Sequence, residues 1–187
     1  MLGSLDRATN LQMVPVSHPD KSKPDQHFVD AAPSGSVIVM QTPLGVRSGC
    51  WGGLMSTAAQ TKGVQGAVLD GGCRDLNEHR ALGFPVFARG HSVLGPGTFT
   101  RVRALNVPLT IKPAPPNAEP PFPEITVNPG DYVVADLDGV VVVTPDMAEK
   151  VLAKARPARE ADEKVRADLL KGKGVSESML KHRGKAP

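Results

Sequence analysis

Short apolar runs separated by glycine- and proline-rich turns set the rhythm of most of this chain. Val37-Ile38-Val39-Met40, preceded by the turn signal Pro33-Ser34-Gly35, reads as a buried strand. Leu54, Ala58 and Ala59 share one helical face and Gly63 supplies a stop, so the spacing predicts a helix over 54–62. Gly66-Ala67-Val68-Leu69 is the next strand. A strand, helix, strand order with short connections predicts a βαβ crossover and a parallel pair. After the turn Asp70-Gly71-Gly72-Cys73, residues 74–82 are predicted as a short helix ending at Gly83, and Pro85-Val86-Phe87-Ala88 as a strand.

The flanks are read in the same way. Met13–Val16 is a short strand, 18–24 a polar loop, and 25–32 one or two helical turns. Residues 91–100 form a loop and 102–111 a strand. Residues 112–123, rich in proline, are expected to be an exposed loop inserted between strands, because proline cannot serve a sheet interior. Ile125–Val127, Tyr132–Ala135 and Val140–Val143, joined by Asn-Pro-Gly-Asp and Asp-Leu-Asp-Gly turns, predict antiparallel hairpins and hence a mixed sheet. Pro145 can open a helix that runs to Arg156, and 158–171 is a last, densely charged helix of the kind that is solvated or lies across another subunit. The basic stretch 172–187 is expected to be a flexible tail.

Composition narrows the class. A chain of 187 residues suits one α/β domain, and with aromatics at 4% its core must come from Val, Leu, Ile and Ala. The net charge of +3 falls largely in the tail, which makes no nucleic-acid footprint. Two cysteines, Cys50 and Cys73, make neither a disulfide scaffold nor a zinc motif, so a reducing, cytoplasmic setting is expected. Neither a signal-peptide pattern nor an apolar run long enough to cross a membrane is present, and no membrane partner is expected.

Candidate chemistry concentrates between Gly49 and Pro85. Unpaired amides at the helix start after Gly52-Gly53, those of Leu54 and Met55 among them, can hold a carboxylate or phosphate, and glycine lets a ligand approach the main chain. Arg74 offers a two-pronged donor for a carboxylate and a cation for developing enolate charge. Asp75 is a hard oxygen ligand suited to Mg²⁺, and Glu78 shares the same helix face. The same residues also read as an aspartate N-cap and an Arg–Asp surface pair. Taken as a site, the two turns would hold an α-keto acid with a metal at its carbonyl, which fits reactions through a pyruvate enolate. His79 is expected on the outer helix face, His91 in a polar loop, and Asp70, Asp136 and Asp138 as turn residues.

Gly53, twenty residues, then Arg74-Asp75-x-x-Glu78, together with GVQGAVLDGGCRD, LGFPVFARG and VNPGDYVVADLDGVVVVTP, resembles the RraA-like superfamily over roughly residues 35–170. That group holds class II 4-hydroxy-4-methyl-2-oxoglutarate/4-carboxy-4-hydroxy-2-oxoadipate aldolases and regulators of ribonuclease E activity. The resemblance implies a β/β/α sandwich of the swivelling-domain type, assembled as a homotrimer or hexamer. It implies Mg²⁺ or Mn²⁺ on Asp75, with Arg74 on the carboxylate and carbonyl of a pyruvate-like ligand, and the Leu54 and Met55 amides completing the carboxylate site. It further implies a glutamate from a neighbouring subunit's C-terminal helix, matched by Glu163, with Glu160 second. Glu78 and Glu160 are second-tier metal candidates. The implied substrates are oxaloacetate, pyruvate or a 4-hydroxy-2-oxo dicarboxylate.

Two departures qualify the resemblance. Many aldolase-type members carry Asp or Glu where this chain has Gly53, which leaves proton transfer to another group. The family also places about 45 further residues before the strand matching Met13–Val16, so Met1 is expected to be a late start that leaves apolar surface exposed. The competing reading is a non-catalytic interaction protein like the ribonuclease regulators. Those commonly lack the aspartate of the Arg-Asp pair, which this chain keeps. Methyl transfer finds no support, because no GxGxx(G) fingerprint follows a first strand.

Overall fold

The computed structural model describes residues 6–112 and 123–184. They form two compact units, 1–143 and 144–187, where the sequence reading has a single domain. In the first unit the order is β1 (Asp6–Pro15), α1 (Phe28–Ala31), β2 (Ser36–Gln41), β3 (Gly49–Trp51), α2 (Gly53–Thr61), β4 (Gly66–Cys73), α3 (Leu76–Leu82) and β5 (Val86–His91). It continues with β6 (Thr100–Leu105), β7 (Leu109–Ile111), β8 (Ile125–Val127), β9 (Tyr132–Ala135) and β10 (Val140–Val143). The proline-rich excursion lies almost wholly outside the described residues.

The main sheet runs β10-β9-β1-β2-β4-β3, with β5 also on β4 and β6 also on β1. The β1, β2, β4 and β5 pairings are parallel, and β6, β9 and β10 join antiparallel. The sheet is therefore mixed. β2 is buried on both faces, as its continuous apolar run requires. Ile38 and Met40 pack with Trp51, Ala59 and Phe84 on the helical side, while Val37 and Val39 pack with Leu109 and Val127 of the β7–β8 hairpin on the other. Helices, main sheet and hairpin make a β/β/α sandwich.

Several boundaries differ from the sequence reading. The strand expected at Met13–Val16 begins at Asp6, and the strand expected over 102–111 is two, divided where Asn106 adopts φ 53°. Asp70 to Cys73 is not a turn but the end of β4. There Gly72 and Cys73 change neighbour: β2 pairs as far as Asp70, and β3 takes its place. The helix expected from Arg74 begins only at Leu76, because Asp75 is left-handed at φ 60°.

In the second unit α4 (Ala148–Leu170) follows a 3₁₀ turn, Pro145–Met147, and runs unbroken through Pro157, where the sequence reading divided it. The expected flexible tail is corrected: 175–183 is a helix, α5 (Val175–Arg183), packed on α4. Its attachment is polar. Asp168 is buried and accepts from Lys173 Nζ and His182 Nε2, each at 3.0 Å, and Arg183 pairs with Asp162. Basic side chains that look like a solvated tail in one dimension are thus paired with carboxylates one element earlier.

Candidate functional site

The two glycine-rich stretches meet at the ends of β3 and β4. Gly49 and Trp51 pair with Gly72 and Cys73, and Arg74 N–H donates to Trp51 O at 2.9 Å, so Gly52 and Arg74 leave the sheet side by side. α2 then starts with Gly52 as its N-cap residue, which has no side chain with which to cap. Asp75 supplies the missing acceptor. Its Oδ2 receives Gly53 N–H at 3.0 Å and lies 3.4 Å from Arg74 Nε. Asp75 stands at the N-cap position of α3 but makes no side-chain cap there.

The glycines are explained by space rather than conformational freedom, since Gly52 is extended at φ −144°. A Cβ on Gly52 would lie 2.6 Å from Asp75 Oδ2, and one on Gly53 only 1.7 Å from Glu78 Oε2. The Glu78 carboxylate therefore fills the volume that any side chain at 53 would claim. Two carboxylates, Asp75 and Glu78, thus crowd the N-terminus of α2, where the helix dipole favours negative charge.

Arg74 has a largely unengaged guanidinium. Its side chain is 44% exposed, and apart from Nε–Asp75 its guanidinium makes no other hydrogen bond or ion pair among the described residues. The expected amide cradle is narrower than the sequence implied. Met55 N–H is spent on Gly52 O at 3.0 Å and Gly53 N–H on Asp75, which leaves the Leu54 N–H as the open donor. A tight first turn of α2 is the cause, since Ser56 N–H also returns to Gly52 O.

His79 is buried instead of lying on the outer face. Trp51 Nε1 donates to Ser56 Oγ at 2.8 Å, and Ser56 Oγ lies 2.9 Å from His79 Nδ1. An indole N–H can only donate, so the serine hydroxyl accepts from it, and the direction of the bond to the imidazole follows the tautomer of His79. This chain ties β3, α2 and α3 together directly behind Glu78. Sequence reasoning missed it, although Ser56 and His79 both fall one helical turn from the glycine and arginine motifs.

Cys50 and Cys73 are buried behind the turns, with Cys50 Sγ donating to Gly72 O at 3.2 Å. Burial pushes the Cys50 thiol up to about 12 and raises that of Cys73 in the same direction, so neither supplies a thiolate. Asp70 pairs with Arg89, and Asp136 accepts the Asp138 N–H within its hairpin turn. Glu160 and Glu163 are exposed on α4 of the second unit, where Glu163 faces Arg166 at 3.8 Å.

As a donor set for a cation, Asp75 and Glu78 offer carboxylate oxygens and nothing softer. The described residues contain no group of three or more His, Cys, Asp or Glu that could enclose a metal. Such a pair fits an ion that keeps most of its waters, as Mg²⁺ does, and not a tetrahedral zinc cage.

Residues 8–142 match the RraA-like family, described as Aldolase/RraA. The chain belongs to that family. It is 33% identical over 134 residues to a Halalkalibacterium halodurans protein named "Putative 4-hydroxy-4-methyl-2-oxoglutarate aldolase", a match covering 72% of this chain and 58% of that protein. A crystal structure of an uncharacterised Pseudomonas syringae protein superposes with TM-score 0.76 at 29% identity, over 92% of this chain and 76% of that one. Streptomyces coelicolor RraAS2, described as an unusual member of the RNase ES inhibitor RraA family, gives TM-score 0.68 at 27% identity, over 86% and 75%. The chain spans little more than half the length of two of the curated relatives it matches, and less than a quarter of the length of a third relative. No helix among the described residues is long and apolar enough to cross a membrane.

Proposed function

We propose that this RraA-like protein is a divalent-metal-dependent carbon–carbon lyase for α-keto acids, cleaving a 4-hydroxy-2-oxo dicarboxylate, decarboxylating oxaloacetate, or both. The observation that carries the reading is the convergence of the free guanidinium end of Arg74 with the carboxylates of Asp75 and Glu78 around the start of α2. A structural Arg–Asp pair would not require two glycines whose Cβ positions are filled by carboxylate oxygens.

Asp75 would hold Mg²⁺ or Mn²⁺ largely through waters, with Glu78 beside it. When bound, the ion supplies Lewis-acid polarisation of the keto group. Arg74 binds the substrate carboxylate through its terminal nitrogens and stabilises charge as it builds on the keto oxygen. The open Leu54 N–H adds a second donor to the same carboxylate. Glu78 Oε2 is the proton carrier, placed where Gly53 leaves room. In aldol cleavage it takes the proton of the 4-hydroxyl, the C3–C4 bond breaks with its electron pair passing to the pyruvate enolate, and the same proton returns to C3. In oxaloacetate decarboxylation the bond to the leaving carboxylate breaks instead, carbon dioxide departs, and C3 takes a proton from water. Glu163, or Glu160 as second choice, would approach from the α4 of a neighbouring copy in a trimer or hexamer.

The test is the loss of oxaloacetate with Mg²⁺ or Mn²⁺ above the metal-only rate, against EDTA and Asp75→Ala. Turnover that persists unchanged without metal overturns the reading. The likeness to RraAS2 favours one alternative, a ribonuclease-binding regulator. A stoichiometric ribonuclease partner, together with absent metal binding, would select it.

A further inference from the structure

Gly95, in the loop between β5 and β6, lies against the Arg74 guanidinium. A Cβ there would be 3.2 Å from Nη1 and 3.7 Å from Cζ. Its φ lies outside the left-handed region, so a side chain here would press on the guanidinium and not strain the backbone. The loop is fastened to both halves of the candidate site. Ser92 N–H donates to Cys73 O at 2.9 Å, next to Arg74, and Gly49 N–H donates to Leu94 O at 2.8 Å, on the strand that leads into Gly52. Leu94 N–H is held by Ser92 Oγ at 3.2 Å. Beyond Gly95, Pro96 O accepts from Phe99 and Thr100, and Phe99 O accepts from Val16, so the far end is fixed too. A proline after Gly95 stiffens it further.

We propose that Gly95 is a positioning residue for Arg74: the loop backs the guanidinium, so that the arginine meets its ligand already restrained. With Nε drawn to Asp75 and the Gly95 backbone against Nη1, the side chain has lost in advance much of the freedom it would otherwise lose on gripping a carboxylate. A methyl group at 95 would displace the fork by a few tenths of an ångström, and a misplaced donor weakens both the grip on the carboxylate and the stabilisation of charge at the keto oxygen. The inference deepens the α-keto acid reading, on which its ligand test rests.

Gly97 supplies a matched control. It lies in the same loop, also outside the left-handed region, and a Cβ there would meet nothing within 4 Å. Gly95→Ala and Gly97→Ala both restrict the unfolded chain, Gly95 somewhat differently because Pro96 follows it, so the movement of Arg74 and not stability alone reports the neighbour. Gly95→Ala is expected to raise KM for oxaloacetate and Kd for oxalate about tenfold and to lower kcat as well, since the same guanidinium serves the developing charge, and Gly97→Ala to change none of them. In an Arg74→Ala background Gly95→Ala should add nothing, because the group it displaces is gone, and that background also keeps the test open if Gly95→Ala alone folds poorly. The ¹⁵Nε–¹H signal of Arg74, assigned by its loss in Arg74→Lys, should move in Gly95→Ala and stay in Gly97→Ala. An unmoved Arg74 signal, or equal effects of the two alanines, overturns the proposal. A wild type that neither binds oxalate nor consumes oxaloacetate defeats the proposed function instead, and the Arg74 signal then still decides the role of Gly95.

Discussion

The carboxylate of Asp75 caps a helix other than its own: from the N-cap position of α3 it accepts the Gly53 N–H of α2 at 3.0 Å. The left-handed φ of 60° at Asp75 accompanies that reach, and a non-glycine residue holds such a conformation at a cost of about 1 kcal/mol. One carboxylate oxygen therefore satisfies an orphan amide of α2 and steadies Arg74 Nε, while the second oxygen has no hydrogen bond or ion pair among the described residues. A surface ion pair has no need of this arrangement.

Asp75→Asn keeps an acceptor for Gly53 and tolerates the left-handed conformation, so urea unfolding should shift by no more than about 1 kcal/mol. Metal-dependent turnover should nevertheless be lost. Asp75→Ala removes the cap and places alanine at a positive φ, which should cost about 2 kcal/mol in the same measurement. Equal stabilities for the two variants would show that the cross-helix cap contributes nothing.

Glycine to alanine in a helix ordinarily stabilises by about 1 kcal/mol. At Gly53 the sign should reverse, because the new Cβ falls 1.7 Å from Glu78 Oε2 and 2.8 Å from Glu78 Cβ. In a Glu78→Ala background the cost of Gly53→Ala should shrink by about 1 kcal/mol or more, with a small backbone shift relieving the contact that remains. Additive effects in a thermal-unfolding cycle would place the two side chains apart.

Burial raises the Cys50 thiol from its ordinary value of 9.0 to about 12. A folded-state value above the unfolded one means that the unfolded chain releases its proton first. Stability from this group is therefore complete below pH 9 and is lost as pH rises toward 12. The loss should approach about 1.4 kcal/mol per pH unit, and Cys50→Ala should flatten the alkaline limb of the stability curve. Rapid reaction of the native protein with a thiol reagent at pH 8 would contradict the burial.

Lys173 and His182 hold the Asp168 carboxyl down near a value of about 2. Its contribution to docking α5 on α4 is present above the ordinary aspartate value of 3.8 and fades as pH falls through about 2. Asp168→Asn should leave 175–183 the first segment to exchange amide hydrogens or to be cut by protease at neutral pH. Unchanged protection there would mean that the apolar contacts of α5 suffice without the ionic clasp.

Local pattern revealed most of the first unit. The apolar run of β2, the face of α2 and the Asn-Pro-Gly and Asp-Gly turns each carry their structure within a few residues. What the pattern hid depends on distant partners. β1 is long because β2, β6 and β9 all pair with it, and β3 exists because Gly72 and Cys73 need a neighbour where β2 has ended. α4 passes through Pro157 at the expense of one helical hydrogen bond, a cost that propensity alone weighs against. At the candidate site, the grouping of Arg74, Asp75 and Glu78 was legible from residue type and spacing. The cap on Gly53, the buried His79 and the Gly95 contact were not, because each joins residues far apart in sequence through geometry that only the fold supplies.

The most direct test of the central claim is a calorimetric titration of oxalate into the protein with and without Mn²⁺, for the wild type and for Asp75→Asn. Binding of one oxalate per chain that requires Mn²⁺ and disappears in Asp75→Asn is the predicted result. Oxalate binding that is equally strong without metal, or unaffected by Asp75→Asn, would contradict a metal-assisted α-keto acid site at the start of α2.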